Sequence, residues 1–526
     1  MSASSPGLNR LAMTVLQPGF DGVEPPAWLR RALADGLGGT VLFARNIVDV
    51  GQTADLVAAL REENPAVVVA ADEEGGAVTR FEAGQGSSWP GNRALGVIDD
   101  VARTELVGRA IGRLLAAADV TLNYAPVADV NANPANPVIG IRSFGPDPDL
   151  VARHTAAWIT GLQAEGVAAC AKHFPGHGDT VTDSHLALPT VHASLDVLRG
   201  RDLPPFRAAV EAGVRSVMCG HLLVPALDPD GPATLSRRIL TGLLREELGF
   251  DGMLVTDAIE MRAVAALHSP GEIAVRALAA GADAICAGVS SPGGESVYAL
   301  RDAIVEAVRD GRLPEERLAE AAARVLAVAD WHAARAAERR AAAPAAPSAA
   351  HLNGVEPASV SEPVSDEDLG LETARAAMRV TPPGAAAGPA VPLSRPPLVV
   401  HIAPRMSQAV ESGAPVGLTR ELAGLLPGTE GHTIMAEAPT LPDLSGDRPV
   451  VLVVHDAGRH TWVSDLLAEA VQARPDAIVV ETGIPAQPVG AVYVTTHGVS
   501  RASDRVVARW LTGSEQPRSR QEKAAG

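Results

Sequence analysis

The densest group of titratable side chains is the run K-H-F-P-G-H-G-D-T-V-T-D-S-H, Lys172 to His185, with three histidines, two aspartates and a lysine in 14 residues. Imidazole exchanges protons near neutral pH, and Asp183, two residues before His185, is placed to hold that ring in one tautomer and raise its basicity, as an acid/base catalyst requires. Pro175, Gly176 and Gly178 exclude a helix and permit a loop. A solvated polar loop would show a similar composition, and for His177 alone a bracing role is the simpler reading. Metal binding is a sharper rival, because His173, His177, Asp183 and His185 are ligand types that zinc or iron favours. Against it, Lys172 would set a cation beside the ion and no helix aligns the rings, so neither metal nor cofactor is expected.

A second pointed segment is M-L-V-T-D-A-I-E-M, which ends an apolar run at Asp257. A carboxylate there suits a nucleophile, although alone it reads equally well as a helix N-cap. Together with a histidine proton donor it offers the two groups that glycoside hydrolysis with retention requires.

These residues need a scaffold that brings strand ends together. Eight short apolar runs alternate with amphipathic helical stretches up to about residue 338. They begin at Met13, Thr40, Ala66, Val120, Val167, Arg215, Gly252 and Ala282. Repeated β/α units of this number predict a (β/α)8 TIM-like barrel over residues 1–340, with an insertion between the third and fourth runs. Ser236 reads as a helix N-cap with its exit at Gly249. The barrel's active site belongs at the C-terminal strand ends, where the chain places Asp72-Glu73-Glu74, Asn123 and Asp129, Lys172-His173, His221 and Asp257. An Ala/Pro/Ser-rich linker is expected over 341–366. A smaller C-terminal αβα sandwich follows over 367–526, with parallel strands beginning at Pro397, Pro449, Asp476 and Ala491. It carries no nucleotide-binding glycine motif.

Composition narrows the partners of this 526-residue chain. A net charge of −18 disfavours a nucleic-acid backbone or an anionic membrane surface. Cys170, Cys219 and Cys286 lie far apart in strand-like runs and read as core residues. No signal peptide or membrane-spanning stretch is apparent, so a cytoplasmic protein acting on a small molecule is expected. The oligomeric state is not legible. Lys172 and Lys523 are the only lysines, and one of them falls on a strand tip.

The loop from Lys172 to His185 resembles the signature of glycoside hydrolase family 3 enzymes of the NagZ type, the β-N-acetylglucosaminidases (β-N-acetylhexosaminidases). Further similar segments are L-F-A-R-N-I at Leu42, D-E-E-G-G-A-V-T-R at Asp72, N-P-V-I-G-I-R-S-F-G at Asn136, H-L-L-V-P-A-L-D-P at His221 and T-D-A-I-E-M at Thr256. The C-terminal region resembles, more weakly, the αβα domain of two-domain members. The resemblance implies Asp257 as nucleophile, His185 as acid/base with Asp183 as its partner, and Asp72, Arg80, Arg142, Lys172 and His173 as sugar-binding residues. It implies removal of terminal β-linked N-acetylglucosamine from peptidoglycan- or chitin-derived fragments through a covalent glycosyl-enzyme. Phosphorolysis by the same residues is an alternative, as is a β-glucosidase of the same fold, whose acid would be a Glu from the second domain. The D-S-H dyad argues against the latter. For Arg80 and Arg142 the competing reading is a surface ion pair. Glu73 stands where many members have Gln.

Overall fold

Each of the eight apolar runs contributes a strand in the computed structural model, which describes residues 6–342, 365–381, 391–404 and 417–514. The strands are β1 (Leu16–Pro18), β2 (Gly39–Leu42), β3 (Val68–Ala71), β4 (Leu122–Asn123), β5 (Ala168–Phe174), β6 (Ser216–Cys219), β7 (Met253–Thr256) and β8 (Ile285–Ala287). Strands β2 to β7 form one parallel sheet, and β1 pairs with β8. Parallel bridges Gly19–Val41 and Val255–Ala284 join the two pieces into a ring. Every residue of these strands is buried, which is why they read as unbroken apolar runs and not as alternating ones.

Two expectations need adjustment. Met13 and Thr14, read as the start of the first strand, close the helix Pro6–Thr14, and β1 begins at Leu16. Met13 is fully buried in that helix, so a short apolar run does not distinguish helix from strand. The insertion after β3 is a long turn followed by helices Asn92–Ile98 and Val101–Ala117. Ser236 does serve a helix start, its Oγ accepting from Ile239 N at 3.2 Å, and Gly249 takes φ +71° beyond the helix end.

The second sheet has order β11-β10-β12-β13-β14-β9, with β9 (Arg379–Thr381), β10 (Leu398–Ile402), β11 (Glu430–Ile434), β12 (Val450–Val454), β13 (Ile478–Glu481) and β14 (Val492–Thr495). The four inner strands are those expected. The two edge strands are additions, and β9 runs antiparallel to β14, so the sheet is mixed. Residues 430–433 of β11 are exposed, so that strand carries no apolar run to betray it. Helices Asp366–Ala377, Gly417–Leu425, Thr461–Ala473 and Arg501–Leu511 accompany the sheet. Most of the linker expected over 341–366 lies outside the described residues, as does Lys523. Ser365 caps the first helix of this region through Asp368 N at 3.1 Å.

The turn after β3 carries Asp72, Glu74 and Arg80, and Glu73 anchors it. Glu73 and Asn123 at the end of β4 exchange hydrogen bonds, Glu73 N to Asn123 Oδ1 at 2.9 Å and Asn123 Nδ2 to Glu73 O at 2.8 Å. The Glu73 Oε2 accepts from Arg80 N at 2.8 Å and Phe81 N at 3.0 Å, while its buried Oε1 has no partner among the described residues. Burial pushes this carboxyl up to about 7, the N–H donors offsetting only part of the effect. The folded chain therefore keeps a proton that the unfolded chain releases, and stability falls as pH rises from the ordinary value of 4.5 to about 7. Glu73→Gln should remove that slope and stabilise by about 1–3 kcal/mol at pH 8 but little at pH 4. Thermal unfolding at the two pH values measures this, and equal shifts at both would contradict it.

Candidate active site

A cavity of about 560 Å³ is lined by side chains from the C-terminal ends of the barrel strands. Asp72, Arg80, Arg142, Lys172, His173, His185 and Asp257 line it, and Asp183 stands behind His185. Residues from the end of β5 and from the segments after β3, β4, β5 and β7 thus meet in one place.

One wall is an ion-paired group. The Lys172 ammonium lies 2.6 Å from Asp72 Oδ1 and 2.7 Å from Glu74 Oε1. Arg142 grips Glu74 with two prongs, Nε at 3.0 Å and Nη2 at 2.7 Å, and the Arg80 guanidinium lies 3.7 Å from Asp72. Arg80 and Arg142 are only 6% and 7% exposed, which removes the surface-ion-pair reading. Burial would raise the Glu74 carboxyl, but Arg142 and Lys172 outweigh it and hold Glu74 far below the usual carboxylate range. The same carboxylates raise Lys172 against the lowering effect of its burial, so both partners stay charged.

The end of β5 and the loop after it separate their histidines by partner. His173 Nδ1 lies 2.7 Å from Asp129 Oδ2, and Asp129 also accepts the backbone N–H of His177 at 2.7 Å. His177 is buried, with Nδ1 2.8 Å from Thr180 Oγ1 and Nε2 3.2 Å from Ser184 Oγ. Burial lowers it to about 4, leaving it a neutral brace. His185 is the accessible one, its side chain 22% exposed, with Nδ1 2.7 Å from Asp183 Oδ1. Burial favours the neutral Asp183 carboxyl, but the His185 ring and N–H hold it below the usual range. With Nδ1 committed to this carboxylate, Nε2 is the ring atom left to exchange a proton. Gly178 is required because a Cβ there would lie 1.8 Å from Val130 O.

Asp257 sits at the tip of β7, its N–H bonded to Cys219 O at 3.0 Å and its Oδ1 accepting from Ala258 N at 2.8 Å. Burial would raise this carboxyl, and the His221, His173 and His185 rings outweigh it, so it is held below its ordinary range. His221 fixes the turn beyond, donating from Nε2 to Ala258 O at 3.0 Å while Nδ1 takes the Thr234 hydroxyl at 2.7 Å.

Glu74 and Asp129 were visible as polar residues after strands, but nothing local marked them as the partners of Lys172 and His173. Phe43 and Glu260 also line the cavity, and Glu260 falls three positions after Asp257 in the segment already singled out. Its carboxyl accepts from Val289 N at 2.5 Å, and burial pushes it up to about 6. The Nδ1 atoms of His173, His177 and His185 are each taken by a different oxygen, and among the described residues no three His, Cys, Asp or Glu side chains gather as metal ligands would. Cys170, Cys219 and Cys286 are free and buried, and among the described residues no helix is long and apolar enough to cross a membrane.

Comparison with known proteins gives a consistent picture. Beta-hexosaminidase A of Pseudoalteromonas piscicida is 33% identical over 341 residues, covering 60% of this chain and 56% of that protein. A beta-hexosaminidase of Pseudomonas aeruginosa is 40% identical over 254 residues, covering 47% of this chain and 74% of its own length. The solved structure of a glycoside hydrolase family 3 beta-N-acetylglucosaminidase from Paenibacillus sp. str. FPU-7 superposes with a TM-score of 0.82 at 33% identity, over 97% of both chains. The model of the glycosyl hydrolase family 3 N terminal domain matches residues 23–328, the stretch that holds the barrel strands β2 to β8 and the whole cavity, and the chain belongs to that family.

Proposed function

We propose that the protein is an exo-acting, retaining β-N-acetylglucosaminidase that removes terminal β-linked N-acetylglucosamine from peptidoglycan- or chitin-derived fragments. The observation that carries this reading is the meeting, in one cavity, of a carboxylate held ionised at a strand tip with an accessible imidazole whose other nitrogen is bonded to Asp183. The names of the related proteins supply the sugar class.

In the first step Asp257 attacks C1 while His185 Nε2–H protonates the departing oxygen, breaking the glycosidic bond and leaving a glycosyl ester on Asp257. In the second, neutral His185 takes a proton from water, which attacks C1 and releases the carboxylate. Asp183, bonded to Nδ1, holds the ring in one orientation and tautomer. Asp72 accepts from sugar hydroxyls, while Lys172, Arg80 and Arg142 supply donors around the same ring.

A 5-fluoro N-acetylglucosaminyl fluoride, which keeps the 2-acetamido group, should add one fluorosugar residue to the intact protein at Asp257. A label elsewhere, or glucosamine 1-phosphate derivatives as main product when phosphate is present, would overturn the hydrolase mechanism. Lys172→Arg should lower kcat/KM by about tenfold or more, because a planar fork cannot replace a single ammonium set between two carboxylates. Steady-state kinetics test this, and wild-type values in that variant would remove Lys172 from the site. Because Asp257 is held below its ordinary range, kcat/KM should persist on acidification until the pH falls below about 4. A pH–rate profile with an acid limb near neutrality would contradict the assignment.

A further inference from the structure

We infer that Arg459, from the second domain, is a positioning residue for the loop that carries His185, acting through Asn136. This rests on His185 being the acid/base as proposed above. Arg459 is delivered by a rigid turn after β12. Glu481, fully buried at the end of β13, accepts N–H groups from Asp456 at 2.9 Å, Ala457 at 3.1 Å and Gly483 at 2.7 Å. Asp456 is thereby fixed, accepts from Ile484 N at 2.7 Å, and holds the Arg459 guanidinium at 2.9 Å. The other prong of Arg459 crosses to the barrel and donates to Asn136 O at 3.0 Å.

Asn136 is a junction. Its side chain is buried, with Oδ1 accepting from Val138 N at 2.9 Å and Ile139 N at 2.8 Å, which shapes the segment leading to Arg142. Its Nδ2 donates to His177 O at 2.8 Å and to Thr180 Oγ1 at 3.3 Å. His177 in turn meets Thr180 and Ser184, and Ser184 lies between Asp183 and His185 in the chain. A continuous series of polar contacts thus runs from the second sheet to the catalytic pair.

The loop needs such support. Val181 and Leu186, flanking the pair, are 69% and 58% exposed, so little apolar burial fixes this stretch. Its position relies on directed hydrogen bonds, and a guanidinium on a carbonyl is one of the stronger kinds. Arg501 makes a separate crossing, bonding Glu82 and Gln85 at 2.7 and 2.9 Å, and so provides a control that loosens the same domain without touching the His185 loop.

The test compares two aryl β-N-acetylglucosaminides, a 2,4-dinitrophenyl glycoside that departs without protonation and a 4-methoxyphenyl glycoside that requires it. General acid catalysis contributes about 10²–10⁴-fold, so Arg459→Ala, which misplaces the acid without removing it, should lose about 10–100-fold on the methoxyphenyl substrate and less than about threefold on the dinitrophenyl one. The alkaline limb of its pH–rate profile should move, Arg459→Lys should recover part of the loss, and Arg501→Ala should show no dependence on the leaving group. Asp456→Asn, which frees Arg459 while keeping it, should follow Arg459→Ala in sign and serves if the alanine variant does not fold. Equal losses on both substrates, or none, would overturn the inference while leaving the proposed function intact. If instead the wild type turns over neither substrate, or His185→Ala shows no dependence on the leaving group, the proposed function itself is wrong.

Discussion

Buried charge at the mouth of the barrel governs this site. Lys172, Asp72, Glu74 and Arg142 come from segments far apart in the chain and sit together with little access to water. A single unpaired member would cost several kcal/mol, so the four hold one another in place. The arrangement leaves a wall of ordered donors and acceptors that need no rearrangement to meet hydroxyl groups. It also keeps Glu74 ionised in a setting where burial alone would favour its protonated form.

The aspartates and histidines near the cavity show how pairing divides labour. Asp129 takes His173 and the backbone of His177, a fully buried arrangement that secures the strand end. His177 has hydroxyl partners and is too buried to charge near neutral pH. His173 and His185 both have a carboxylate partner and line the cavity, but the His185 side chain is 22% exposed against 7% for His173, the greater access that proton exchange with a substrate and water requires. Among the described residues the Asp257 carboxylate accepts only the Ala258 N–H, on Oδ1, which leaves Oδ2 available.

The second domain meets the barrel on the side where the cavity-lining segments after β3 and β4 lie. Trp89 donates to Asp366 O at 3.2 Å, Arg501 bonds the turn after β3, and Arg459 reaches the loop after β4. The carboxyl end of the second sheet, where β12 and β13 close, supplies one of these contacts, the region where open parallel sheets ordinarily place their function.

The eight barrel strands were legible because a strand buried on both faces must be an unbroken apolar run, and the polar residues after those runs had to gather wherever the strands converged. The amino-acid sequence alone therefore determined the barrel, the histidine-rich loop and the presence of Asp257 at a strand end. It did not reveal β9 and β11, whose edge positions demand no apolar run, nor whether Arg80 and Arg142 were solvated or buried. Tertiary structure decided those points, along with Glu74 as the partner of Lys172 and Arg142, Asp129 as the partner of His173, and the reach of Arg459 from β12 to Asn136. Burial leaves its mark on a residue's own neighbours in the chain, whereas a partner 100 residues away, as Asp72 is from Lys172, is chosen only when the ring of strands closes and leaves a charge no water to turn to.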